Sequence, residues 1–310
     1  MIPVGHAPFN GIYPATICPF DAFDAIDEAA LVRHVVAMAE VPGCVGVLCN
    51  GHAGENFTLS RDEKRRVVEI VHEAIGDRMI VVSGINCENS LEAVHHARDA
   101  AVAGADALMI FPANSWALSQ DASMAITHHR MVIEATDIPI MLFQASVNSG
   151  QMAYTPEVLS QLAQLPRVVA VKEGSWETSA YEANRRLIKD VAPHVAVMAS
   201  GDEHLLASYV LGSEGSFVSL ACIVPETIVT LDRAVCGSDL AAARRAHEVI
   251  YPLAKAIYGR PPGWRATARL KTCLKLLGRL GDDRVRPPMG ALDAGEVNAL
   301  SQALVTAGLL

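Results

Sequence analysis

The sequence predicts an α/β fold: a closed TIM (β/α)8 barrel followed by a C-terminal helical domain. Three observations predict it. Eight short, almost wholly apolar runs recur between residues 12 and 220. Longer segments with helical spacing separate them. Past residue 222 the strand pattern stops and only helical segments continue. Strands covered on both faces read as continuous apolar runs rather than as alternating ones. Eight of them joined by right-handed helical crossovers suit a barrel. An open doubly wound sheet is the other arrangement, and it normally carries a glycine-rich phosphate loop after its first strand. Neither G-x-G-x-x-G nor G-x-x-x-x-G-K-[ST] occurs here.

Taken in order, the strands are expected at residues 12–17, 45–49, 80–83, 107–111, 140–143, 168–171, 195–199 and 216–220. The first helix, 26–40, follows Asp24. The second, 60–73, opens on Ser60 with Glu63 three residues later, a capping box. The third, 90–103, ends at Gly104, a stop signal. Helices at 121–136, 155–164, 179–191 and 203–211 continue the alternation. The tail is read as helices 225–235, 240–258, 264–277 and 294–307. The expected domains are 1–232 for the barrel and 233–310 for the helical domain.

Composition narrows the function. Of 310 residues, 51% are apolar, enough for a large core. Acidic residues number 34 and basic ones 25, a net charge of −9, which argues against a nucleic-acid or anionic-membrane partner. The seven Cys are odd in number and form no C-x-x-C pair, so they are read as reduced thiols of a cytoplasmic protein. The first ten residues show no secretory leader, and no run of 18 apolar residues exists to span a membrane.

In a barrel, chemistry sits at the C-terminal ends of the strands. Lys172 follows the run Val168-Val169-Ala170-Val171 and would project into an apolar mouth. Desolvation disfavours the charged amine, and a neutral amine attacks a carbonyl to give an iminium, an electron sink. The plain alternative is a Lys that snorkels to water. The turn Gly51-His52-Ala53-Gly54-Glu55 follows the second strand. Its glycines permit positive φ, so its amides can converge on a carboxylate. His52 is an acid–base candidate titrating near neutrality, and Glu55 a structural partner. The His95-His96 and His128-His129 pairs diverge on their helices, and Asp202-Glu203-His204 lacks a metal motif, so no metal site is expected. No G-x-S-x-G elbow supports a hydrolase.

Several segments together carry a family resemblance: Gly11–Phe20, Gly51–Glu55, Phe57–Lys64, Ala103–Leu108, Val168–Glu173, Ser200–Glu203 and Arg286–Met289. In their order and spacing the chain resembles the dihydrodipicolinate synthase/N-acetylneuraminate lyase family over nearly its whole length. The resemblance implies a barrel with a helical C-terminal domain, a homotetramer or homodimer, a Schiff base on Lys172 and no separate cofactor. The implied partner is a small 2-oxo acid. Its binding residues would be Gly51, Ala53, Gly54, Phe143, Gln144, Asn148 and Ser219, with Trp116 and Trp176 in the pocket wall.

The departures matter too. Best-known members read G-T-T-G-E where this chain has His52 and Ala53. Phe143 stands where the family usually has a proton-relaying Tyr. Pro112-Ala113-Asn114 replaces P-Y-Y, and Asn148 replaces the Arg that recognises the aldehyde partner. The chain is therefore not expected to be a true dihydrodipicolinate synthase. The first reading is a pyruvate-type aldolase or synthase. The second is a 2-oxo-3-deoxy sugar-acid dehydratase or a deaminase using the same lysine, with His52, Gln144 or water moving protons. The third is a non-catalytic 2-oxo-acid binder.

Overall fold

The computed structural model describes residues 9–310, so most of the segment inspected for a leader lies outside the described residues. Eight parallel strands form the barrel: β1 (Gly11–Pro14), β2 (Gly46–Cys49), β3 (Ile80–Ile85), β4 (Ala107–Ile110), β5 (Ile140–Gln144), β6 (Val168–Glu173), β7 (Ala196–Ala199) and β8 (Gly215–Val218). Each pairs with its neighbour, and β1 pairs with β8. Bridges between Ile12 and Cys44 and between Ala15 and Leu48 close the ring. The helices between strands are α1 (Glu28–Ala39), α2 (Arg61–Ile75), α3 (Ser90–Val102), α4 (Ala122–Glu134), α5 (Pro156–Ala163), α6 (Thr178–Val191) and α7 (Leu205–Val210). Among the described residues no helix is long and apolar enough to cross a membrane.

The pleat divides the strand side chains between two cores. Tyr13, Leu48, Met109, Met141, Phe143, Ala170, Met198 and Phe217 fill the barrel. Their neighbours Ile12, Cys49, Leu108, Leu142, Val171, Val197 and Val218 pack outward against the helices. Every strand is covered on both faces, which is why its sequence reads as an unbroken apolar run.

The helix starts follow their caps. The Ser60–Glu63 capping box is present: the Ser60 amide donates to Glu63 Oε2 at 2.8 Å, and the Glu63 amide to Ser60 Oγ at 3.3 Å. Asp27, not Asp24, caps α1, because Asp24 has a left-handed backbone in the turn before it. Gly104 ends α3 at φ +100°, and a Cβ there would stand 2.5 Å from the His72 ring. Of the boundaries that differ from the sequence expectation, three bear on the barrel mouth. β6 runs on to Glu173, so Lys172 is a strand residue. β8 stops at Val218, and residues Ser219–Cys222 turn as a 3-10 helix. The expected helix 203–211 is split into a 3-10 turn, Asp202–His204, and α7.

The eighth barrel helix, α8 (Pro225–Cys236), is followed by α9 (Leu240–Ile257), α10 (Ala266–Leu276) and α11 (Ala294–Thr306). The expected division at 232/233 therefore falls inside α8; a division after that helix leaves each element whole.

Candidate active site

A cavity of about 540 Å³ opens at the C-terminal mouth of the barrel. The inward parity of β6 passes through Ala170 to Lys172, which brings its amine to this cavity. Lys172 pairs in register with Phe143, and its Nζ lies 5.5 Å from that ring's centroid. Burial pushes the Lys172 amine down to about 8, against the pull of the Asp202 carboxylate. At neutral pH roughly 10% is then free amine, about 300-fold more than for an ordinary Lys.

Beside it runs the turn after β2. Its left-handed residues are Asn50 (φ 53°) and Glu55 (φ 54°), whereas Gly51 is extended at φ −87°. The glycines thus do not supply the positive φ that the sequence suggested. Gly54 serves close approach instead, since a Cβ there would stand 3.2 Å from the Thr16 carbonyl oxygen. The amides of Gly54, Glu55 and Asn56 donate back into the turn, to Gly51, His52 and Gly51. Those of His52 and Ala53 have no acceptor among the described residues, and both residues line the cavity. The turn is held from below by Glu55, which is fully buried. Glu55 accepts from Lys271 Nζ at 2.5 Å and from the Arg286 amide at 3.0 Å, so the C-terminal domain fixes it.

One wall of the cavity is aromatic. The His52 ring lies 4.7 Å from Phe111 and 5.6 Å, edge-on, from Phe143. The His52 side chain is exposed where it opens onto the cavity, and the walls around it, with the Lys172 charge second, push its imidazole down to about 4. That direction favours the neutral ring at pH 7.

The facing wall is polar. Asp202 is buried after β7, and its Oδ1 accepts from the Leu220 amide at 3.1 Å. Ser219 Oγ lies 2.5 Å from the Tyr258 hydroxyl, and the Asp202 carboxyl acts electrostatically on that hydroxyl. Tyr258 caps α9, so the helical domain lends a side chain to the barrel mouth. Its ring centroid is 5.5 Å from that of Trp176. Burial pushes Asp202 up to about 7, opposed by the Leu220 amide and by Lys172. Desolvation holds the Tyr258 phenol well above its ordinary value. The assembled chemistry is a nucleophilic amine, two open amides and a phenol–hydroxyl–carboxyl cluster. No group of three or more His, Cys, Asp or Glu able to hold a metal ion stands together among the described residues.

The sequence model of the dihydrodipicolinate synthetase family matches residues 8–307. The chain belongs to that family. It is 32% identical to a 4-hydroxy-tetrahydrodipicolinate synthase of Methanothrix thermoacetophila, over 81% of this chain and 82% of the relative. A 4-hydroxy-tetrahydrodipicolinate synthase of Methanococcoides burtonii is 31% identical, over 97% and 99% of the two chains. The prophage protein YagE of E. coli K12, whose crystal structure contains pyruvate, superposes with a TM-score of 0.90 at 22% identity, covering 97% of this chain and 99% of its own. A solved dihydrodipicolinate synthase superposes at 0.86 with 27% identity, covering 97% and 100%.

Within this dihydrodipicolinate synthetase fold, the expected residues Lys172, His52, Ala53, Phe143 and Ser219 meet at the cavity, and Trp176 joins them. Gly51 and Gly54 shape the turn behind it. Gln144 does not join. It points outward on β5, and its amide exchanges 3.1 Å hydrogen bonds with both backbone groups of Tyr154. Asn148 is exposed on the following loop, while Ser146 and Ser149 face the cavity. Trp116 is buried edge-on against His128, 5.5 Å away, and is no part of the wall. Sequence reasoning missed Asp202 and Tyr258. Asp202 stood in the Ser200–Glu203 segment and was weighed only as a metal ligand. Tyr258 carries no local signal, since only the packing of α9 brings it to the mouth.

Proposed function

We propose that the protein is a Schiff-base-forming lyase of pyruvate-type 2-oxo acids. The observation that carries this reading is Lys172, facing the cavity with its amine near 8. The neutral amine attacks the keto carbon, the carbinolamine loses water, and the iminium draws electrons from C3. The amides of His52 and Ala53, which have no acceptor among the described residues, would hold the substrate carboxylate. A 2-oxo-acid lyase activity agrees with relatives named as synthases and with a neighbour solved with pyruvate. The reading includes a homotetramer or homodimer in the cytoplasm, needing no separate cofactor.

Within this reading the cavity chemistry separates two reactions. Besides Lys172 no cationic side chain lines it among the described residues, which favours a substrate whose second half carries no carboxylate. The aldolase reading has that half as a neutral aldehyde. The dehydratase reading has a 2-oxo-3-deoxy sugar acid, favoured by the hydroxyls of Ser146, Ser149, Ser219 and Thr267 around a cavity far larger than pyruvate. Borohydride trapping read by intact mass tests both. A pyruvate adduct that Lys172→Ala abolishes supports the aldolase. An adduct with a sugar-derived 2-oxo acid alone supports the dehydratase. No adduct with either class would leave a non-catalytic binder and overturn the proposal.

A further inference from the structure

We propose that Tyr258, carried by the C-terminal domain, is the proton carrier of this site, with Asp202 and Ser219 completing its relay. The inference rests on the Schiff-base reading above and deepens it. Enamine chemistry needs a group that takes a proton from C3 of the iminium and returns it. Four titratable side chains line the cavity among the described residues: Lys172, His52, Asp202 and Tyr258. Lys172 is consumed as the imine nitrogen. His52 lies among aromatic rings, with neither ring nitrogen in a hydrogen bond among the described residues. Phe143, at the inward end of β5, has no hydroxyl. The facing wall, by contrast, sets two titratable groups beside a hydroxyl, and the proton moves there.

That wall is built as a relay. Asp202 is anchored through Oδ1 by the Leu220 amide at 3.1 Å. The Tyr258 hydroxyl hydrogen-bonds Ser219 Oγ at 2.5 Å and is coupled electrostatically to the Asp202 carboxyl. Trp176 lies against the phenol ring and limits its swing. The charged or titratable groups facing Tyr258 are Asp202 and Cys222, with Lys172 across the cavity acting on Asp202. In the step, the C3–H bond breaks and its electron pair forms the C2–C3 double bond. The C=N pair moves onto nitrogen, giving a neutral enamine. The proton passes to the Tyr258 oxygen as the phenol proton passes to the Asp202 carboxylate. Return of that proton regenerates the iminium.

The probe is pyruvate itself, whose methyl hydrogens exchange with deuterium oxide through the enamine. The exchange is followed by NMR on the full-length protein, alongside borohydride trapping. Tyr258→Phe is expected to keep the trapped adduct and to slow exchange at least ~100-fold, the usual share of a positioned acid–base group. Asp202→Asn is expected to keep the adduct and to change the pH profile of exchange per trapped adduct. That ratio takes out the limb that Lys172 gives to imine formation, and a merely structural role would not move it. Exchange in Tyr258→Phe at the parent rate, with the adduct retained, overturns the relay. So does a pH profile of exchange per trapped adduct that Asp202→Asn leaves unchanged. Loss of the adduct in a folded Tyr258→Phe protein also overturns it, assigning Tyr258 to imine formation. Absence of an adduct in the parent protein with both pyruvate and a sugar-derived 2-oxo acid defeats the Schiff-base reading first, and the relay with it.

Discussion

Lys172 and His52 respond to the same enclosure in ways that divide their roles. Desolvation drives both toward their neutral forms. For the lysine that means a usable nucleophile at neutral pH, and for the imidazole it means loss of its proton well below pH 7. The rate of pyruvate adduct formation should therefore climb about tenfold per pH unit below 8 and flatten above it, as stopped-flow trapping would read. A rate flat from pH 6 to 9 would show that the amine is not the limiting nucleophile. His52→Ala should preserve any near-neutral inflection in the pH profile of turnover, because His52 does not titrate there; its disappearance would restore His52 as the acid–base group. At this scale the sequence was legible wherever strand parity applied. Lys172 and Phe143 end inward rows of β6 and β5. Gln144 was misplaced only because nearness to the strand end outweighed its outward parity. Tyr258 was not legible, because no spacing rule joins residue 258 to residue 202.

The turn after β2 and α10 act as one element joined by a buried ion pair. Glu55 and Lys271 are both fully buried, and Lys271 also donates to the Arg284 carbonyl at 2.8 Å and sits 4.3 Å over the Phe20 ring. Arg286 reinforces the joint: its guanidinium donates to the carbonyls of Asp24 and Thr58 and pairs with Glu63. Removing one member of such a pair leaves an uncompensated charge in the interior. Lys271→Met should lower stability by ~3–5 kcal/mol in urea unfolding, whereas Glu55→Gln with Lys271→Met should recover part of that loss. Equal destabilisation by the single and double substitutions would show that the charge pairing is not what holds the turn. The capping box of α2 and the glycine stop of α3 were readable because they are made within one short segment. The 3-10 turns at Asp202–His204 and Ser219–Cys222 were not, because barrel packing and the Asp202–Leu220 bond set them.

Across the whole molecule, buried histidines set the response to acid. His34, His128 and His129 are buried in the helix layer, and desolvation pushes them to about 4, 4 and 3. In the unfolded chain the same imidazoles take up protons near pH 6.5. Between pH 6.5 and about 4 the unfolded state therefore binds more protons, and stability falls as the pH falls. Three carboxyls act in the opposite sense. Asp202, pushed to about 7, and Glu173 and Asp232, both raised by burial, are protonated more readily when folded, which favours the native state on acidification. His52, His96 and His247 are lowered as well, so six imidazoles oppose three carboxyls and the net slope follows the histidines. Urea midpoints measured at pH 7 and pH 5 should thus differ, with pH 5 the weaker. His34→Gln, which removes one of the buried imidazoles, should flatten that slope. A midpoint independent of pH across this window would mean that the interior histidines accept protons when folded, and that the helix layer is open to water.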